Sequence, residues 1–199
     1  IHRINATYKF NEDALVYATV SRGFRPGGIN RRGTLPPYAA DFIDNYELGF
    51  KTSWLDNRVR FNGAVYQLDW SDIQLSFLGE NGLSEVRNAG NARIRGAEFD
   101  LFARLAPGLT LSAGAAYNDA NITEDFCKIA NPQFDCTIDR DLDNSNTIDP
   151  PDEVNELLAP AGTRLPITSK FKANLLGRYE FPLGGDHQGH FQAAFVHEG

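Results

Sequence analysis

Strict alternation of apolar and polar side chains, sustained over nine to eleven residues at a time, is the feature that most limits how this chain folds. Residues 46–54 place Tyr46, Leu48, Phe50, Thr52 and Trp54 on one face and Glu47, Gly49, Lys51 and Ser53 on the other. Residues 95–105 set Ala97, Phe99, Leu101, Ala103 and Leu105 against Gly96, Glu98, Asp100, Phe102 and Arg104. Residues 109–118 and 171–181 repeat the pattern. A period of two over such lengths predicts β-strands with one apolar face, because successive side chains in a strand point to opposite sides. No stretch matches a helical period as well. Residues 58–77 form a further long apolar-rich segment, but its phase slips between Gly63 and Tyr66, which predicts a β-bulge there.

The connections alternate between short and long. Asn11-Glu12-Asp13, Asp56-Asn57, Ala106-Pro107-Gly108 and a slightly longer turn within 182–188 are the short ones; about 25–40, 78–84 and 121–165 are the long ones. The prediction is therefore all-β: an antiparallel up-and-down meander of about eight strands. Short turns at one end and long loops at the other are the layout of an outer-membrane barrel. A soluble β-sandwich is the competing architecture. Against it stand the strand lengths, since 41–54, 58–77 and 84–105 far exceed the usual five or six residues. Aromatic residues also gather toward strand ends (Tyr8, Phe10, Phe24, Trp54, Trp70, Phe77, Phe181), as membrane interfaces favour.

Charge narrows the partners. The formal net charge is -7, and residues 124–156 account for it, with ten acids against Lys128 and Arg140. Outside that segment, acids and bases nearly balance. A nucleic-acid partner is not expected, because no basic face is available for phosphates. No run of 18 apolar residues occurs, so no transmembrane helix is expected.

Taken in chain order, residues 14–28, 45–51, 58–75 and 88–100 resemble segments of the TonB-dependent outer-membrane receptors. Residues 14–28, from Ala14 through Tyr17-Ala18 to Gly23-Phe24-Arg25-Pro26-Gly27-Gly28, resemble one barrel segment of that family. Asn45-Tyr46-Glu47-Leu48-Gly49-Phe50-Lys51 and the strand Arg58 to Tyr66 resemble the next. Tyr66, Asp69, Trp70 and the run Asp72-Ile73-Gln74-Leu75 resemble its far end, and Asn88-Ala89-Gly90-Asn91-Ala92 with Arg95 to Asp100 the strand after that. The resemblance implies a large transmembrane barrel filled by a plug and energised by an inner-membrane TonB-type complex. Residues 1–199 are then one partial barrel domain, a slice of that larger barrel without a plug, with a long extracellular loop at about 121–165. The implied role is energy-coupled uptake of a scarce nutrient, an iron chelate or similar, at the bacterial outer membrane. The implied partners are outer-membrane lipid, the rest of the barrel and plug, the TonB-type complex and a small-molecule ligand. A soluble or surface β-domain that binds glycan or calcium is the alternative. Gly23, Gly27 and Gly28 are expected to supply unusual backbone angles where a strand leaves the membrane. Gly96, Glu98 and Asp100 are expected to face the lumen, with their carboxylates solvated or paired with an arginine such as Arg104.

The acidic loop offers two sites. Cys127 and Cys136 enclose eight residues, and in an oxidising extracellular setting a local disulfide is expected. A metal-binding or catalytic thiol pair is the competing reading, but no His lies nearby and the spacing is not that of zinc. Downstream, Asp141, Asp143, Ser145, Thr147, Asp149 and Asp152 fall at calcium-loop spacing, with Asn146 in place of the usual glycine. Calcium is the candidate ion, and a merely solvated acidic loop is the equal alternative. No other cofactor is expected. No enzyme is expected either: His2, His187, His190 and His197 are scattered, and no nucleophile elbow, phosphate loop or H-E-x-x-H is present. Were the chain a hydrolase, Glu98 and Asp100 would be the acidic pair to consider.

Overall fold

The computed structural model describes residues 1–31, 37–78, 82–88, 90–127, 139–140, 153–154, 157–166 and 168–199. Its strands are β1 (His2–Lys9), β2 (Ala14–Arg25), β3 (Asp41–Trp54), β4 (Val59–Ser71), β5 (Gln74–Leu78), β6 (Ser84–Asn88), β7 (Ala92–Ala106) and β8 (Leu109–Ile122). Then follow the two- or three-residue β9 (Phe126–Cys127), β10 (Asp139–Arg140), β11 (Glu153–Val154) and β12 (Leu157–Ala159), and the long β13 (Phe171–Gly184) and β14 (His187–Glu198). Eight strands form one sheet in the order β1-β2-β3-β4-β7-β8-β13-β14, every pair antiparallel. This is the expected up-and-down meander. The sheet is open, with β1 and β14 at its edges.

Direct cross-strand partners share a face, so the ladder sorts the side chains. One face carries the rung Leu48, Val65, Ala97, Tyr117 and Phe171, then the rung Phe50, Gly63, Phe99, Ala115 and Ala173, then Thr52, Phe61, Leu101, Ala113 and Leu175. Large apolar members of this band are strongly exposed, with Leu48 at 57% and Val65 at 54%. So broad an exposed apolar band is unsustainable in water and is what lipid requires. The other face carries Tyr17, Glu47, Lys51, Asn62, Glu98, Asp100 and Asn174, which is the expected lumenal assignment for Glu98 and Asp100.

The expected bulge between Gly63 and Tyr66 is absent. β4 pairs with β3 and β7 in unbroken register from Val59 to Trp70. The slip in hydrophobic phase has another cause: the two faces exchange polarity. On β4 the outward residues run Val59, Phe61, Gly63, Val65 and then Gln67, Asp69; the inward ones run Arg60, Asn62, Ala64 and then Leu68, Trp70. β7 and β8 switch on the same two rungs. Val65, Ala97 and Tyr117 are the last apolar rung outward, and Gln67, Arg95 and Asp119 the first polar one. Above it, Arg93 pairs with Asp69 at 2.6 Å and Arg22 with Asp44 at 3.8 Å. On β4, β7 and β8 the outer face thus passes from a surface suited to lipid to one suited to water at this level, while on β2 and β3 the outward Val20 and Tyr46 of the same rung are still apolar.

Two long segments also break where the sequence reads them as continuous. The first stops at Ser71, because Asp72 takes φ 56°, and resumes as β5. The second divides into β6 and β7 around Gly90, at φ 75°. β5 and β6 thus form a separate hairpin beyond the main sheet.

Candidate functional site

Above the polarity switch, the inward apolar residues are covered by the long connections. Ile73, Phe126 and Leu165 pack with Ala92, Ala120 and Ile122 into one buried cluster, flanked by Trp70, Leu75, Ile94 and Ala159. Backbone bonds pin them: Ile73 N–H donates to Gly90 at 2.8 Å, and Leu165 N–H to Ala120 at 2.9 Å. The connections therefore fold against the inner face at the mouth of the wall. Trp70 belongs to this cluster, so it is not a membrane-interface aromatic as its position near a strand end suggests.

Asp41 anchors the mouth. Only 1% of it is exposed, yet its carboxylate is fully engaged. It accepts from the Arg25 backbone N–H at 3.2 Å and from Arg25 Nε at 2.9 Å, and forms an ion pair with the Arg25 terminal nitrogen. Trp70 Nε1 donates to it at 3.0 Å and the Gln74 N–H at 3.3 Å, while the Arg25 guanidinium lies 5.1 Å from the Trp70 ring. Burial on its own disfavours the Asp41 carboxylate; the donors from Arg25, Gln74 and Trp70 outweigh it and hold the carboxyl below the usual carboxylate range.

Side-chain amides extend the anchor into the loops. Gln74 Nε2 donates to the carbonyls of Pro26 and Ala39, both at 3.0 Å. Asn88 accepts from the Ala39 N–H at 2.7 Å and donates to the Asp72 carbonyl at 2.6 Å. Asn30 makes a two-way pair with the Val86 backbone, at 3.0 and 2.8 Å. Segment 26–40, so far as it is described, and the β5–β6 hairpin are thereby joined into one body.

Below lies the polar lumenal wall, a depression of about 630 Å³ running from Tyr17 and Lys51 to Lys172 and Glu198. Asp100 accepts from Asn62 Nδ2 at 2.9 Å, not from Arg104, which lies over the Phe102 ring at 6.0 Å. Lys172 pairs with Glu198 at 2.5 Å. The wall thus offers charges of both signs and several amides, suited to a polar surface or ligand.

Gly27 and Gly28 differ from expectation. Neither needs a left-handed backbone; both need close approach. A Cβ on Gly27 would lie 2.5 Å from the Tyr38 carbonyl oxygen, and one on Gly28 would lie 2.6 Å from the Tyr38 hydroxyl. The Gly28 and Tyr38 backbones exchange hydrogen bonds at 3.0 and 2.9 Å.

Cys127 lies in β9, opposite Leu157. Cys136 and the six candidate calcium ligands, Asp141, Asp143, Ser145, Thr147, Asp149 and Asp152, lie outside the described residues. Among the described residues no group of three or more His, Cys, Asp or Glu side chains is placed to hold a metal.

Residues 2–198 match the family profile described as TonB dependent receptor-like, beta-barrel. The pesticin receptor of Yersinia enterocolitica is 32% identical over 110 residues, 53% of this chain and 16% of that protein. The metal-pseudopaline receptor CntO of Pseudomonas aeruginosa is 27% identical over 124 residues, 62% of this chain and 17% of that protein. The chain thus spans about a sixth of the length of these curated relatives. Among solved structures, the ferric yersiniabactin uptake receptor FyuA of Yersinia pestis superposes with a TM-score of 0.63 at 23% identity, covering 90% of this chain and 22% of that one. The siderophore receptor PiuA of Acinetobacter baumannii gives 0.62 at 17% identity, covering 89% and 23%.

Proposed function

Because the chain belongs to the TonB-dependent receptor β-barrel family of bacterial outer-membrane proteins, we propose that it forms part of the wall and mouth of a receptor that takes up a metal chelate. The relatives' names support this reading, since they describe receptors for siderophores and a metal–pseudopaline complex. The observation that carries it is the division of the wall. Apolar residues face outward, the inner face is polar, and the connections fold inward at the mouth onto the Asp41 anchor. A plug and a TonB-type energy-transducing complex are the partners proposed with it, and the role is transport, not catalysis. Glu98 and Asp100 belong to a wet barrel wall.

Two further assignments accompany this reading. Cys127 and Cys136 form a local disulfide, and residues 141–152 take up calcium through the carboxylates of Asp141, Asp143, Asp149 and Asp152, with Ser145 and the Thr147 carbonyl completing the shell. The loop's spacing supports the second, with four carboxylates that repel one another without an ion.

The test is whole-cell uptake of radioactive iron supplied with a panel of siderophores to a strain lacking the gene and to a complemented strain. Uptake of at least one chelate should depend on the gene and vanish with a proton-motive-force uncoupler. Gene-independent uptake across the panel, or uptake indifferent to the uncoupler, would overturn the proposal.

A further inference from the structure

Near the short turns, the inner face carries cations that the wall itself does not neutralise. Arg60, Phe102, Ser112 and Leu176 share one inward rung, and Arg104 and Arg178 stand on the next rung toward the turns. Arg178 is paired with Glu180 at 2.9 Å. Among the described residues, Arg60 and Arg104 form no ion pair. Asp100, diagonal to Arg60, accepts from Asn62 Nδ2 at 2.9 Å, and Asp13 lies two strands away, beyond Ser53. Both guanidiniums rest instead against the Phe102 ring, 4.8 and 6.0 Å from its centre. A guanidinium over a ring keeps its charge and leaves donors on its edge for a carboxylate. β4 and β7 have a paired neighbour on each side, so no further strand comes beside these residues.

The same rung is also partly apolar. Phe102 and Leu176 face the lumen and are only half-buried. A small anion would satisfy the arginines but leave these two side chains wet. Covering them takes a solid body inside the wall, and arginine beside an aromatic ring is the composition of protein–protein contact surfaces.

We propose that Arg60, Phe102 and Arg104 hold an acidic segment of the plug at the periplasmic end of the lumen. An Asp or Glu side chain lies between the two guanidiniums, and an apolar neighbour covers Phe102 and Leu176. This contact rests on the reading of the chain as the wall around a plug, and adds which part of the wall grips it and what chemistry is gripped.

The test uses the full-length receptor in outer membranes, with photoreactive p-benzoylphenylalanine in place of Ser112, the residue between Phe102 and Leu176 on the rung. Irradiation and mass spectrometry of the digested protein identify what occupies the rung, and the gel shift between unheated and heated samples reports folding. Cross-links should reach a plug peptide that carries Asp or Glu. R60E/R104E should lower their yield about ten-fold, the worth of one charge-assisted hydrogen bond. R60K/R104K should keep most of the yield, and changing the acid of the cross-linked peptide to Lys should restore it in R60E/R104E. Folded receptor that cross-links only to the TonB-type complex, only to a plug peptide without an acid, or to no protein would overturn the proposal. So would an unchanged yield in folded R60E/R104E; were that variant to misfold, R60Q/R104Q makes the same comparison. Chelate uptake is measured separately. A plug cross-link without uptake leaves this contact standing while the transport reading fails, and uptake without a plug cross-link does the reverse.

Discussion

Tyr66 stands directly opposite Gly96 in the β4–β7 ladder, and a Cβ on Gly96 would lie 2.4 Å from its ring. The tyrosine lies flat across the glycine, and its hydroxyl reaches Asn118 on the strand beyond. Tyr17 over Gly49 on the same inner face, and Phe50 over Gly63 on the outer face, repeat the relationship between direct cross-strand partners. An aromatic ring shields the bare backbone of an opposed glycine and fixes register.

Gly96→Ala should therefore lift the Tyr66 ring from the wall and break its bond to Asn118, at a cost of about 1–3 kcal/mol. In a Tyr66→Ala background the same substitution should be close to neutral. A thermal-unfolding double-mutant cycle in detergent measures the coupling, and additive effects would contradict the arrangement.

At the mouth, Gly28→Ala and Gly27→Ala should separate in the same way. The Gly28 obstruction is the Tyr38 side chain, so Tyr38→Ala should relieve it. The Gly27 obstruction is backbone of residues 38–40, so Tyr38→Ala should not. Retention of native electrophoretic mobility for the four variants gives the comparison.

Asp41→Asn keeps the shape of the anchor but removes its charge. Arg25 is half exposed, so water screens part of the loss and the local cost should be roughly 1–3 kcal/mol. Hydrogen exchange should accelerate at Gln74 and Ala39, while strand amides near Phe99 stay protected.

The same carboxylate sets a pH dependence. Its folded pKa lies below the unfolded value of about 3.9, so its contribution is complete above that value. It is lost as pH falls further and through the lower folded value. Exchange protection at Gln74, corrected for intrinsic rates, should be flat from about pH 7 to 5 and decline below about pH 4. The Asp41→Asn variant should show no such decline.

Phe99→Arg places a charge in the outward apolar band and should cost about 2–4 kcal/mol in folding into bilayers. Asn62→Arg, on the adjoining strand but facing inward, should be tolerated. Folding yields into lipid vesicles over a denaturant series distinguish them.

Alternation made the strands and their faces readable, because a half-buried strand must repeat every two residues whatever it buries against. The same rule misled at Gly63 to Tyr66. A change of solvent along an unbroken strand and a bulge leave the same mark on one strand's sequence; only the matching switch on β7 and β8 separates them. The mouth was not legible. Asn30 meets Val86 and Asp41 meets Gln74 across more than thirty residues, through amides and carboxylates that are equally common in unstructured loops. The apolar Ile73 and Leu75 just past a strand end were the one local sign that this connection packs against something.

The shared switch between the Val65–Ala97–Tyr117 rung and the Gln67–Arg95–Asp119 rung works as a waterline drawn across three strands. A strand slipped by one residue presents its polar face to hydrocarbon. A slip of two keeps the faces but sinks one strand's waterline beneath its neighbours'. Pulled down relative to β4 and β8, β7 would drag Arg95 into the hydrocarbon. The bilayer thus audits strand pairing by depth, since a neighbour out of register carries its polar rung into hydrocarbon.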